Sequence, residues 1–329
     1  MDKIKVQLDQ LKCDVQASLM KRGLNEEDAS RVTDVYYRAT LRGVGHHEID
    51  SLPGRFDHLE KGETNPAASI TKIGGMGALE LYDGDNGMGE LCSLFATERS
   101  MELAASQGIG FVSVRNSNHF LAAAPYTEYA EEKGFFTTIL SKSPSGLTIP
   151  GAGKDLMGNN PFGYSAAAAD GSLLFDVCFS YSSFGKMGLL ARQGKSIPSY
   201  WGEDSEGQPT ENPADVLESK LYLAMGEHKG FGLAMWVELM TSVLGGGTIL
   251  RDEESKLPGM YTQTAISINT EALPGPGSMA ERTTRMKELF REMYPEIYFP
   301  GQGSLRNKEA ILQQGFVEVD PELWQTITA

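Results

Sequence analysis

The stretch "GIGFVSVRNSNHFLAAAPYTEYAEEKGFFTTIL", residues 108–140, decides the architecture. "GFVSV" (110–114) is a short apolar run bounded by a glycine, as a strand is, and "FFTTIL" (135–140) is another. Between them, residues 123–132 carry a helical pattern that stops before Gly134. Just upstream, "ALELYD" (78–83) reads as a strand closed by the turn "DGDNG", and "ELCSLFATERSMELAAS" (90–106) as a helix ending near Gly108. Strand–helix–strand order with short links predicts parallel pairing and a sheet covered by helices, an α/β fold.

Working outward, residues 3–22 place Ile4, Leu8, Leu11, Val15 and Leu19 at helical spacing, closing at Gly23. A second helix is expected from Asn25, a good N-cap, through acidic Glu26, Glu27 and Asp28 to about Arg42. "GVGHHEIDSLPGRF" (43–56) reads as a glycine-bounded loop carrying two histidines. Residues 141–228 are rich in turns, with the strand "SLLFDVCF" (172–179) among them. "KGFGLAMWVELMTSVL" (229–244) is apolar nearly all round, which predicts a buried helix. The tail alternates the strand "YTQTAISIN" (261–269) with helices at 279–293 and 306–314.

Composition excludes several roles. Over 329 residues, 40% are hydrophobic and 22% charged, as in an ordinary globular protein. The formal net charge of −15 creates a field that repels phosphate backbones and anionic bilayers, so neither nucleic acid nor a membrane is an expected partner. No apolar run approaches the roughly 20 residues that cross a bilayer. The three cysteines, Cys13, Cys92 and Cys178, leave one over in any disulfide scheme, and "MDKIKVQLDQLKCDVQ" has no signal-peptide core. A cytoplasmic location is the expectation.

His119 is the first candidate for chemistry. It falls just past the carboxyl end of a strand and at the mouth of a helix pattern, the edge where ligands gather in open α/β sheets. A helix N-terminus disfavours the imidazolium and keeps the ring ready to accept a proton near pH 7. Asn116, Ser117 and Asn118 add polar groups in the same turn, and a histidine capping its own helix is the alternative. His46 and His47 are adjacent, so they cannot share a helix face as metal ligands do, and no metal site is expected. "GEHKGFG" (226–232) brings free backbone N–H groups, glycines and Lys229 together as an anion site, with close helix packing as the alternative reason for its glycines. It is not a GxxxxGK[ST] loop, and "GMGALE", "GAGKDL" and "GMGELC" each lack the third glycine of GxGxxG. A hydrolase using His119 as base lacks a nucleophile motif such as GxSxG.

Seven segments, in order, resemble the malate/L-lactate dehydrogenase family: "RGVGHHEIDSLPGRF", "GIGFVSVRNSNHF", "GNNPFGY", "FDVCFS", "GKM", "GEHKGFGLAMWVELMTSVLGGG" and "FPGQG". That family also embraces reductases of 2,3-diketo-L-gulonate and Δ1-piperideine-2-carboxylate, and ureidoglycolate dehydrogenase. The resemblance spans nearly the whole chain. It implies an α/β fold whose nicotinamide-binding domain is not of the Rossmann type, expected over 76–260. The segments 1–75 and 261–329 would form a helical substrate domain. It further implies a homodimer, NAD or NADP as cofactor, and reduction of a small 2-oxo acid to a 2-hydroxy acid. By position it assigns acid/base roles to His47 and His119. It assigns cofactor contacts to Ser143, to Asp176, Val177 and Cys178, to His228 and Lys229, and to Gly301, Gln302 and Gly303.

The match breaks where substrate is chosen. The family's "SHGxxR" reads here as "HHEIDS", with His46 for serine, Glu48 for glycine and Ser51 for the arginine that grips a carboxylate. Losing that guanidinium removes a bidentate clamp. Substrate contacts are therefore expected from His46, Ser51, Arg55 and Asn118, with Arg55, Arg42 or His46 standing in for the missing charge. The altered loop leaves two other readings open: a reductase of cyclic 2-imino acids, and a cofactor-binding member that has lost turnover.

Overall fold

The computed structural model describes residues 3–329 apart from 44, 46, 251–258 and 274. Its strands are β1 (Ile4–Gln7), β2 (Thr71–Met76), β3 (Leu79–Gly87), β4 (Ile109–Ser117), β5 (Phe135–Ser141), β6 (Ser145–Thr148), β7 (Met157–Gly158), β8 (Phe162–Ala166), β9 (Leu173–Val177), β10 (Gly202–Glu203), β11 (Leu221–Leu223), β12 (Tyr261–Asn269) and β13 (Phe316–Val319). Its α-helices are α1 (Leu8–Lys21), α2 (Glu26–Arg42), α3 (Leu52–Glu60), α4 (Gly89–Gln107), α5 (Ala124–Glu132), α6 (Phe184–Arg192), α7 (Pro213–Ser219), α8 (His228–Glu238), α9 (Met279–Met293), α10 (Gln302–Gln314) and α11 (Pro321–Thr328).

Seven strands make one sheet in the order β2-β3-β4-β12-β5-β8-β9. The unit β3–α4–β4 closes as a parallel neighbour pair, as its spacing predicts. The unit β4–α5–β5 does not, because β12 enters between β4 and β5 and runs antiparallel to both. The sheet is mixed rather than parallel. Local order along 108–140 cannot show a strand that arrives from far downstream. β12 starts at Tyr261, beyond the expected boundary at 260, and β2 comes from the expected N-terminal part, so the sheet draws on all three expected segments.

Alternation along the strands fills a core on each face. Ile139 joins the large core with Val112, Val114 and Ala265, whereas its neighbour Leu140 joins Ala234 and Val237 of α8 on the other side. Ser267 of β12 hydrogen-bonds Ser100 of α4 at 2.7 Å, while Thr264 on the opposite face bonds the Met240 carbonyl at 3.3 Å. A smaller sheet, β10-β11-β6-β7, packs against α6 and α7 around Met187, Val216 and Tyr222.

The chain's two ends meet in the helical part. Residues 4–7, expected to begin a helix, instead pair antiparallel with β13, setting Ile4 against Val319 and Val6 against Val317. The apolar periodicity there fits either state, and a partner at the far end of the chain selects the strand. α2 starts as expected, the Asn25 side chain accepting the Asp28 N–H at 2.9 Å. The expected loop 43–56 gives way at Leu52 to α3, with Pro53 in its first turn. The helix expected from 306 begins earlier, at Gln302.

α8 corrects another expectation. Its inner side is buried, but Leu233 and Trp236 are exposed, as are Leu239 and Val243 in the π-helical segment that follows and Leu244 just past it. An all-round apolar helix lying on a single sheet has only one side to bury within one chain.

Candidate active site

His119 owes its place to the way β4 ends. The chain turns at Asn116 and Leu121, both with positive φ (51° and 75°), and the Leu121 N–H donates back to His119 Nδ1 at 3.0 Å. The helix mouth is further on than expected. α5 begins at Ala124, and the amide of that residue donates to the Asp176 carboxylate at 2.9 Å, so Asp176 rather than His119 occupies the helix N-terminus. Gly89, at the start of α4, allows the turn to sit this low. A Cβ there would lie 2.1 Å from the Asn118 carbonyl oxygen and 2.4 Å from the His119 carbonyl carbon.

The next residue, Glu90, is fully buried. Its Oε1 accepts from the Tyr36 hydroxyl at 2.9 Å and from Arg55 Nε at 3.0 Å. Arg55 Nη2 then lies 2.6 Å from His119 Nδ1. Three separate segments thus converge behind one imidazole.

In front of it lies a cavity of about 720 Å³. His47, His119 and Tyr261 share its wall. The His119 ring stands edge-on to His47 at 5.5 Å and to Tyr261 at 5.7 Å between centroids. Burial pushes the Tyr261 phenol up to about 12, against a downward pull from Arg55. Burial likewise raises Asp176 to about 6, opposed by the amides of Ala124 and Ala123. Glu48, in the loop that bears His47, is pushed up to about 7 by burial even though its carboxylate accepts the Gly45 N–H at 2.6 Å.

Of the residues singled out from sequence, Arg42, His47, His119, Ser143, Asp176, Val177, Cys178 and Gly301 line this one cavity. Ser143 is held firmly: its hydroxyl donates to Asn159 Oδ1 at 2.8 Å and accepts the Asn160 N–H at 3.1 Å. Other expected contacts lie outside the lining. Ser51 donates its hydroxyl to the Glu48 carbonyl at 2.8 Å, closing its own loop. The Asn118 amide donates to the carbonyls of Asn86 and Gly87, tying down the end of β3. Arg55 sits behind His119. His228 and Lys229 are exposed at the start of α8. Gln302 accepts the Phe299 N–H at 3.2 Å, and Gly303 rests against the Tyr298 hydroxyl. His46 lies outside the described residues. Sequence reading did not single out Tyr261, Asn159 or Tyr298, which line the cavity, nor Glu90 behind it. Tyr261 carries no local signal beyond opening a strand.

A family model described as malate/L-lactate dehydrogenase matches residues 6–328. This chain belongs to the malate/L-lactate dehydrogenase family. A 2,3-diketo-L-gulonate reductase of Klebsiella pneumoniae (strain 342) is 28% identical over 333 residues, covering 99% of this chain and 100% of that one. Among solved structures, the Δ1-piperideine-2-carboxylate reductase of Pseudomonas syringae superposes with a TM-score of 0.90 at 26% identity, covering 99% of each chain. Malate dehydrogenase from Entamoeba histolytica shares the fold, with a TM-score of 0.91 at 24% identity over 99% of this chain and 96% of that one. That membership places the chain among oxidoreductases of small acids.

Proposed function

We propose that the protein is an NAD(P)H-dependent reductase that converts a small 2-oxo acid to its 2-hydroxy acid. One observation carries the reading: two histidines and a tyrosine meet in a cavity whose wall also bears Ser143, Asp176 and Gly301. The residues suit a nicotinamide cofactor. The cavity of 720 Å³ falls within the roughly 300–1,000 Å³ of small-molecule clefts. Gly301 keeps its rim close-fitting, since a Cβ there would come within 2.9 Å of the Leu174 backbone. Ser143, Asn159, Asp176 and Gly301 are the groups that would hold the cofactor. Bound there, the reduced nicotinamide supplies a hydride to the carbonyl carbon.

The chain's own work is to manage the charge that grows on the substrate oxygen. His47 and His119 supply a proton and a hydrogen bond at that atom. Tyr261, still a neutral phenol at working pH, closes the same corner. Arg42 gives the wall positive charge, although its guanidinium is already paired with buried Glu128. A substrate carboxylate therefore meets a shared charge instead of the fork that the family places at position 51.

The working unit is a homodimer in the cytoplasm. Support for the dimer comes from the exposed apolar stripe Leu233, Trp236, Leu239 and Val243, a patch that monomers rarely leave in water. Support for the compartment comes from free Cys13, Cys92 and Cys178.

The likeness to the piperideine-carboxylate enzyme favours a second reading of the same site, reduction of cyclic 2-imino acids. A panel of 2-oxo and cyclic 2-imino acids, run with NADH and with NADPH, separates the two. Oxidation of the cofactor with 2-oxo acids is the expected result. Oxidation with imino acids alone would select the second reading, and binding without oxidation by any acid would show lost turnover.

A further inference from the structure

We infer that Arg55 is a positioning residue that fixes His119 as the neutral tautomer with its proton on Nε2, making it a hydrogen-bond donor to the substrate oxygen. The inference rests on the reductase reading for its purpose but not for its geometry.

A guanidinium has five N–H donors and no acceptor, so the 2.6 Å contact between Arg55 Nη2 and His119 Nδ1 requires a lone pair on Nδ1. The Leu121 N–H at 3.0 Å points at the same nitrogen and makes the same demand. A proton on Nδ1 would face two donors at once. The ring proton therefore resides on Nε2, and an imidazolium would break both contacts.

Arg55 is itself held to the task. Its Nε is bonded to Glu90 at 3.0 Å, and Glu90 is fixed by the Tyr36 hydroxyl at 2.9 Å. Burial opposes the guanidinium's charge, but Tyr36 and Glu90 outweigh it and hold Arg55 protonated. Among the groups around the ring are the His47 imidazole and the Tyr261 phenol, edge-on at 5.5 and 5.7 Å, with Phe120 tilted beside it. Tyr261 stays neutral, being pushed up to about 12 by burial.

Position 55 lies one helical turn beyond Ser51, on α3. Ser51 closes its own loop, while the guanidinium one turn on is held against the histidine. The consequence is a division of labour. His119 stabilises the developing oxyanion without itself titrating, and proton delivery falls to a different group.

The test uses ¹⁵N-histidine-labelled protein, with the His119 signals assigned by comparison with His119→Gln. NMR should show a pyridine-like Nδ1 and a pyrrole-like Nε2 that persist through the range where free histidine titrates, about pH 6.5. A pyrrole-like Nδ1, or protonation of both nitrogens near neutral pH, overturns the inference on the wild-type protein alone. In Arg55→Met the tautomer preference should relax and His119 should begin to titrate. kcat should fall about tenfold or more and the pH–rate profile should gain an ionisation, with cofactor KM unchanged. Arg55→Lys, which restores one donor, should recover part of the tautomer preference. Should Arg55→Met fold poorly through unpaired Glu90, the double variant Arg55→Met/Glu90→Gln removes that charge. Wild-type tautomer and pH profile in a folded variant overturn the proposal. Failure of every 2-oxo and 2-imino acid as substrate would remove the reductase reading but leave the NMR result standing.

Discussion

Asp176 shows how burial at one residue becomes a pH dependence of the whole protein. Its folded-state value of about 6 exceeds the ordinary 3.8, so the folded chain binds that proton more tightly than the unfolded chain. Its contribution to stability is complete below about pH 4, is lost as pH rises through about 6, and stays lost above. Asp176→Asn keeps an acceptor for the α5 amides and removes the titration. Relative to wild type, the variant should gain up to about 2 kcal/mol between about pH 4 and pH 7, read by urea unfolding. A difference that does not change with pH would mean that the carboxyl is not held in an unfavourable environment. At this scale the sequence is an uneven guide. His119 stands out because polar neighbours crowd it at a strand end, and the resemblance picks out His47 and Asp176. The sequence marks Arg55 as a substrate contact, but its linkage to Glu90 and Tyr36 leaves no trace, because the three come from separate segments with nothing between them but the fold.

α8 and β12 are the elements whose surroundings sequence patterns misjudge. Periodicity reports which residues avoid water, not which molecule covers them. "KGFGLAMWVELMTSVL" is apolar all round, and one chain covers only the side carrying Ala234 and Val237. Trp236 and Leu233 remain 38% and 49% exposed. If a second copy covers that face, Trp236→Glu should place a charge in a dry interface and convert dimer to monomer in light scattering. An unchanged mass would show that the dimer forms elsewhere, and a monomeric wild type would show that α8 faces water. β12 teaches the complementary lesson. Its alternation announces a strand, but its position between β4 and β5 depends on pairing partners far away in sequence. Helices α2 and α4, with local periodicity and clear ends, were legible nearly to the residue.

At the level of the whole molecule, the helical part and the sheet domain are joined through charge as well as apolar contact. Glu128 of α5 accepts from Arg42 of α2 and from Lys308 of α10. Burial alone would raise its carboxyl, but Arg42 and Lys308 outweigh burial and hold it below the ordinary 4.5. That stabilisation is present above about pH 4.5 and disappears as pH falls through the lower folded value. Glu128→Gln leaves the buried Arg42 and the half-buried Lys308 without their carboxylate, and should cost about 3 kcal/mol at neutral pH. The two proteins should converge in acid. Equal unfolding free energies at neutral pH would contradict the account of how the layers are tied.

The paired histidines remain the centre of the account. The decisive measurement is steady-state oxidation of NAD(P)H with the best 2-oxo acid by wild type, His47→Ala and His119→Ala, alongside cofactor binding by nicotinamide fluorescence. Each substitution should lower turnover by at least about 100-fold while cofactor affinity holds. Wild-type turnover in either variant would contradict the assignment of that imidazole to the chemistry.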